Sequence, residues 1–259
     1  MEREKECAVR AARAAGEIIR SFYEQTYTVA EKGYDSPVTP ADLQANRKIH
    51  EILQGAFPDY GWLSEETADS PERLSCRRVW VVNPMDGTKE FVQKIPEFSV
   101  SVALVEDGRS ILGVSYNPIR DQLFFVVRGQ GVFRDGKRVY VSTTRNLPSA
   151  SILASRSEHN RGEWEWFKSL FRVIPTGSAA YKLALVAAGE ADATFTLVPK
   201  NEWDICAGAL LVEEAGGQVT DPEGHPIIFN RRETLLRGVV ASNGLLHQQI
   251  LELIACTRP

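Results

Sequence analysis

Cysteine is scarce in this chain. Cys7, Cys76, Cys206 and Cys256 include no Cys-x-x-Cys pair, and their gaps fit no zinc pattern. That excludes a zinc finger or a disulfide scaffold and leaves free, buried thiols in a reducing compartment as the expectation. Long apolar runs are also missing. No stretch approaches the ~18 residues that a membrane span needs, and the charged start MEREKECAVRAARAAGEII is not a signal peptide. A large charge excess is absent too. The net charge of −4 argues against a nucleic-acid scaffold. There is no internal repeat, low-complexity tract or disordered linker. A cytoplasmic protein without nucleic-acid or membrane partners is expected, either monomer or homodimer.

The 259 residues suffice for one large domain or two packed halves, and 43% hydrophobic with 25% charged residues is ordinary for a globular protein. Apolar residues at helical spacing (Ala8, Ala11, Ala12, Ala15, Ile18, Ile19, Phe22) predict a helix over 4–23. A polar connection follows, ending in Ser36-Pro37-Val38-Thr39-Pro40. A second helix is expected from about Ala41 to Leu53, with Thr39 as N-cap and Pro40 at the first helical position. The middle of the chain reads as strands: the apolar run 79–82, the alternation Phe98, Val100, Val102, Leu104, then Leu112, Val114, Tyr116, then 123–127. Asp107-Gly108 and Asp135-Gly136 read as hairpin turns. After about residue 148, short strands (152–154, 193–197, 239–241) alternate with helices expected near 161–170, 178–189, 204–215 and 244–255, the third stopped by Gly216-Gly217. An α+β part over 1–147 and an α/β part over 148–259, with a site at their seam, is the expected organisation.

Four stretches carry chemistry. The densest is Asn83-Pro84-Met85-Asp86-Gly87-Thr88-Lys89-Glu90-Phe91, directly after the buried strand. Pro84 biases Asn83 toward extended backbone, so side chains 83 and 86 can converge after a tight turn. Gly87 permits close backbone approach to a ligand, and the N–H groups of Gly87 and Thr88 would face an anion if a helix begins there. By itself the stretch reads equally as a Pro-Gly turn with a solvated Asp. The second stretch is Trp62-Leu63-Ser64-Glu65-Glu66. The third, Glu202-Trp203-Asp204, opens a helix of small residues; an Asp there reads alone as an N-cap. The fourth runs from Ser36 to Asp42, and Asp42 alone reads as a first-turn acid complementing a helix dipole.

In order and spacing, the four together resemble the inositol monophosphatase superfamily of metal-dependent phosphatases: a Glu-Glu pair, then Asp-Pro-x-Asp-Gly-Thr, then Trp-Asp before an alanine- and glycine-rich helix. Ser-Pro-Val-Thr-x-Ala-Asp, the Lys-Glu-Phe after Asp-Gly-Thr, Glu-Trp-Asp, Ser155-Arg156-Ser157 and the segment from Gly177 to Lys182 look most like the CysQ-type 3′(2′),5′-bisphosphate nucleotidases. The last two match imperfectly: Glu158 precedes His159, and Gly-Ser-Ala-Ala-Tyr-Lys replaces Gly-Ser-Ser-x-Lys. The resemblance implies a layered α/β/α/β/α sandwich. It implies two or three Mg²⁺ ions, with Glu65 and the Met85 carbonyl on the first, Asp86 and Asp204 on the second, and position 83 bridging. Thr88, backed by Asp42 and helped by Glu65, would activate the attacking water. Phosphate would rest on the N–H groups of Gly87 and Thr88. Lys89, Ser155, Arg156, Ser157, Gly177, Ser178, Lys182 and Glu202 would meet the rest of a small phosphorylated substrate. Hydrolysis of 3′-phosphoadenosine 5′-phosphate to AMP and phosphate is the activity implied first. An inositol or sugar phosphatase, or a non-catalytic phosphate- or metal-binding protein, are the alternatives.

One residue departs from the pattern. Asn83 stands where the family has aspartate. Its amide offers one neutral oxygen and an NH₂ donor, so it cannot bridge two cations. Weaker binding of at least one ion and slow turnover are expected. The intact neighbours favour a substitution introduced on purpose, to trap a ligand, over a natural change.

Overall fold

A computed structural model describes residues 1–31, 33 and 37–257; Ser36 of the fourth stretch lies outside the described residues. The chain opens with α1 (Glu2–Tyr23), the short pair β1 (Ala30–Glu31) and β2 (Pro37–Val38), and α2 (Pro40–Ala56). Strands β3 (Gly61–Ser64), β4 (Arg78–Asp86), β5 (Ser99–Glu106), β6 (Arg109–Asn117), β7 (Gln122–Val127), β8 (Val132–Arg134) and β9 (Lys137–Val139) form one sheet in sequential order, with α3 (Thr88–Val92) between β4 and β5. Both Asp-Gly turns are present, Asp107-Gly108 and Asp135-Gly136, each with positive φ at both residues as two-residue hairpins require.

The second half contributes β10 (Ser151–Ser155), α4 (Arg156–Asn160), β11 (Arg172–Thr176), α5 (Ala179–Ala187), β12 (Ala193–Thr196), β13 (Lys200–Asn201), α6 (Glu202–Glu214), β14 (Gln218–Thr220), β15 (Leu235–Leu236), β16 (Val239–Ser242) and α7 (His247–Thr257). Its main sheet has the order β11-β10-β12-β16-β14, with parallel pairs around β10 and antiparallel pairs around β16.

Three apolar clusters mark the interfaces between five layers. In the first, α1 and α2 pack Ala8, Ala12, Ile19, Ala45, Ile49 and Leu53 against Trp80, Val82, Val102 and Val114 on one face of the large sheet. In the second, α5 and α6 lie between the two sheets, with Leu183, Ile205, Leu210 and Leu211 reaching both Val81 and Ala103 on one side and Leu153 and Ala241 on the other. A helix covered on both sides must be apolar all round, and residues 205–212 of α6 have that composition. Its small residues let it approach closely: a Cβ on Gly208 would come within 2.5 Å of Leu183 Cβ. In the third, Ile250 and Ile254 of α7 join Trp164, Phe167 and Phe195 against the far face of the smaller sheet. The result is the α/β/α/β/α sandwich that the resemblance implied, and the two halves share the central core.

Some expectations need correction. No regular helix spans 161–170: a short α4 precedes it, Gly162 takes φ 82°, and only a 3₁₀ turn at Trp166–Ser169 follows. The aromatic spacing of Trp164, Phe167 and Phe171 served packing in the third cluster rather than a helical stripe. The edge strand β11 was not expected; it carries Pro175, whose missing N–H is tolerated at an edge. Of the cysteines, Cys7 and Cys206 are buried, but Cys76 is half-buried and Cys256 exposed; all four are free. Among the described residues no helix is long and apolar enough to cross a membrane.

Candidate active site

Strand pairing brings the distant acids together. β3 runs parallel to β4 with Ser64 opposite Val82, and the Glu65 N–H donates to the Val82 carbonyl at 3.2 Å. Glu65 therefore leaves the sheet beside Asn83. Asn46 of α2 steadies this turn, accepting from Ser64 Oγ at 2.7 Å and donating to Thr67 Oγ1 at 2.9 Å. Against β5 the register slips: Asn83 faces Ser101 while Asp86 faces Ser99. Three steps on one strand oppose two on the other, which is a β-bulge. Pro84, unable to donate to the ladder, sits inside it. The bulge aims Asn83, the Met85 carbonyl and Asp86 toward one end of the sheet. Gly87 then turns the chain with φ 101°, where a Cβ would meet the Glu97 carbonyl and Phe98 Cβ at 3.0 Å, and it caps α3.

Thr88 begins α3, and its Oγ1 donates to Asp42 Oδ1 at 2.9 Å, with the Met85 carbonyl at 3.1 Å as the other acceptor. The other oxygen of Asp42 accepts from Thr39 N at 2.7 Å and Thr39 Oγ1 at 2.6 Å, the capping box of α2. Burial pushes the Asp42 carboxyl up to about 6, against the pull of those hydrogen bonds.

The second half closes over this end. Parallel pairing sets Ser155 opposite Thr176, so the N-terminal ends of α4 and α5 open side by side. Ser178, with φ 57°, an unusual value for a residue bearing Cβ, caps α5 by accepting from Tyr181 N at 3.0 Å. Its Oγ also donates to Asp86 Oδ2 at 2.6 Å, and Ala180 N donates to the same oxygen at 2.7 Å. Arg156 Nη2 donates to Glu97 Oε2 at 2.6 Å and to the Pro175 carbonyl at 3.1 Å; Gly177 N donates to the same Glu97 oxygen at 2.8 Å. The seam is thereby tied, and Ser178 and Arg156 act at least partly as fasteners.

Between the halves lies an open, polar cavity of about 260 Å³. Of the residues named from sequence, Glu65, Met85, Asp86, Gly87, Thr88, Lys89, Ser155, Arg156, Ser157, Gly177, Ser178, Lys182 and Asp204 line it. Asp42 stands behind Thr88, and Asn83 is 1% exposed beneath. Glu202 is placed elsewhere: it is 0% exposed, and its carboxylate accepts Asn230 N at 2.6 Å and Arg231 N at 3.0 Å, anchoring that loop. Burial pushes Glu202 up to about 7. The expectation of substrate contact there is corrected; a short motif does not say which way its first acid points. Lys200, Glu90 and Thr176 line the cavity although they were not named as site residues. A cation four residues before Asp204 was the available signal for Lys200.

Asp204 sits in the first turn of α6, where its Oδ2 accepts Asn201 N at 3.2 Å; Asn201, not Asp204, is the N-cap. Burial raises the Asp204 carboxyl well above its usual range, and Asp86 and Glu65 raise it further. Lys182 is 7% exposed, and burial, aided by Lys200, lowers its ammonium to about 8. Among the described residues no three His, Cys, Asp or Glu side chains form a ready metal cluster. Even so, three carboxylates and a main-chain carbonyl face one cavity and repel one another, a donor set suited to a hard divalent cation. Position 83 is the member that does not fit: its amide nitrogen, not an oxygen, faces Asp204.

The layered fold and the acid-lined cavity beside the start of α3 are those of a class of metal-dependent phosphatases. A model of the inositol monophosphatase family matches residues 1–258, and the chain belongs to that family. It is 37% identical to an inositol-1-monophosphatase of Caulobacter vibrioides over 93% of this chain and 96% of that one. It is also 37% identical to the Nus factor SuhB of Escherichia coli K12, over 84% of each. Among solved structures, the inositol monophosphatase of Thermotoga maritima superposes with a TM-score of 0.88 at 31% identity, covering 98% and 97% of the two chains. The family resemblance therefore stands; the bisphosphate-nucleotidase branch is not represented among these relatives.

Proposed function

We propose that the chain is a Mg²⁺-dependent phosphatase of inositol or sugar monophosphates, slowed by Asn83. The observation that carries this reading is the meeting of Glu65, Asp86, Asp204 and the Met85 carbonyl with the Gly87–Thr88 turn in one cavity. Glu65 and the Met85 carbonyl would hold one cation, with Asp86 beside it. A divalent ion there supplies charge stabilisation for phosphoryl transfer and acidifies a water. The protein's own groups do the rest. Asp42 accepts from the Thr88 hydroxyl so that its lone pairs face the cavity, where they take the proton of an attacking water, with help from Glu65, as the hydroxyl passes its own proton to Asp42. The N–H groups at the start of α3 hold phosphate oxygens. Relatives named as inositol monophosphatases support the choice of substrate class.

A second reading is hydrolysis of 3′-phosphoadenosine 5′-phosphate. It is favoured by the cationic wall of Lys89, Arg156, Lys182 and Lys200, which suits a second phosphate. A non-catalytic role in phosphate binding is the remaining alternative, and Asn83 is its only support. The test is initial rates with Mg²⁺ on inositol 1-phosphate, sugar phosphates and 3′-phosphoadenosine 5′-phosphate, for the Asn83 chain and Asn83→Asp. Faster release of phosphate from the monophosphates supports the first reading, and preference for the bisphosphate supports the second. No hydrolysis by either protein would sink both.

A further inference from the structure

The amide of Asn83 has a partner on each side. Its Oδ1 accepts from Met85 N at 3.1 Å, and its Nδ2 donates to Asp204 Oδ1 at 2.9 Å. These partners fix its orientation: a flipped amide would set N–H against N–H and oxygen against carboxylate. An aspartate could keep the bond from Met85 N. Its second oxygen would then lie about 3 Å from Asp204 with no hydrogen between them, buried near Asp86 and Glu65. A cation, or a proton shared between the two carboxyls, would be needed to relieve that contact. Asn83 relieves it with a hydrogen bond and one charge fewer.

We infer that Asn83 takes over the part of a bridging cation, holding Asp204 as a hydrogen-bond acceptor so that this chain takes one divalent ion fewer than an aspartate-83 chain and is the more stable of the two without metal. The inference rests on the proposed assignment of this cavity, but ion binding and stability measure it without substrate. An ion approaching Asp204 must break the hydrogen bond from Asn83 Nδ2 and then meets an N–H group instead of an oxygen. With Asn83 in place, a metal position is exchanged for a hydrogen bond between Asn83 and Asp204.

The experiment uses the full chain stripped with a chelator. Mn²⁺ is titrated by calorimetry, and thermal unfolding is followed in chelator and in excess Mg²⁺. Circular dichroism checks that each variant folds. Asn83→Asp is expected to gain one Mn²⁺ or to bind its last ion at least about tenfold more tightly. It should unfold at a lower temperature than the Asn83 chain in chelator and gain more from Mg²⁺. Equal stoichiometry and affinity, or an Asn83→Asp protein as stable as the Asn83 chain in chelator, would overturn the inference. Asp204→Asn supplies an independent arm. In the Asn83 chain it should leave the number of bound Mn²⁺ unchanged, and in the Asn83→Asp background it should remove one. Loss of an ion from the Asn83 background shows Asp204 to be a ligand already and rejects the proposal. A chain that binds ions as expected yet hydrolyses no monoester would refute the phosphatase reading alone.

Discussion

The Thr88 hydroxyl points at Asp42, Oγ1 to Oδ1 2.9 Å, joining the start of α3 to the first turn of α2. Asp42 is 1% exposed, and burial is the largest influence on its proton equilibrium. That single contact couples a buried carboxyl to the hydroxyl proposed to take a proton from water.

Activity should therefore depend on the ionised form of Asp42. Its carboxyl is raised to about 6, so it loses its acceptor role as pH falls through that value. Phosphatase rates of the Asn83→Asp protein with Mg²⁺ should fall on the acid side with an apparent pKa near 6. Asp42→Asn should be slow throughout and show no such limb.

Thr88→Ala should lower kcat by roughly 10²-fold or more with little change in KM, because it removes a group that acts on the water rather than on the bound ester. Thr88→Ser should restore much of the rate. An unchanged kcat in the alanine variant would remove Thr88 from the reaction.

At the seam, Gly177 has no room for a methyl group. A Cβ there would lie 2.4 Å from Glu90 Cγ and 2.7 Å from the Glu97 carbonyl. Gly177→Ala should cost about 1–3 kcal/mol by overpacking, read as a lower urea midpoint with the slope unchanged. An undiminished midpoint would mean that the two halves separate more easily than their contacts suggest.

His247 gives the fold an acid limit away from the cavity. It is 1% exposed, between the hydroxyls of Ser242 at 3.0 Å and Thr220 at 2.9 Å, and burial lowers its ring to about 4. A group depressed in the fold contributes stability above its unfolded value of 6.5, and that contribution is lost as pH falls toward 4. The loss should reach roughly 3 kcal/mol. Urea unfolding at pH 7, 5.5 and 4 measures it, and His247→Gln should flatten the profile.

Much of this protein is written locally. The apolar spacing of α1 and α2, the buried run in β4, the Thr39 cap and both Asp-Gly turns each depend on neighbours within a few residues, so the sequence alone determined them. The same holds for the Asp86-Gly87-Thr88 turn, whose residue types suit a phosphate in any fold that presents them. Tertiary structure decided the rest. Glu65 reaches Asn83 because β3 pairs in parallel with β4, and Glu202 turns to the 230–231 backbone while Lys200 turns to the cavity. Asn83 meets Asp204 across 121 residues of chain. Local propensity is blind to such pairs, because what an amide does is set by whether its partner is a cation or a carboxylate, and only packing delivers the partner.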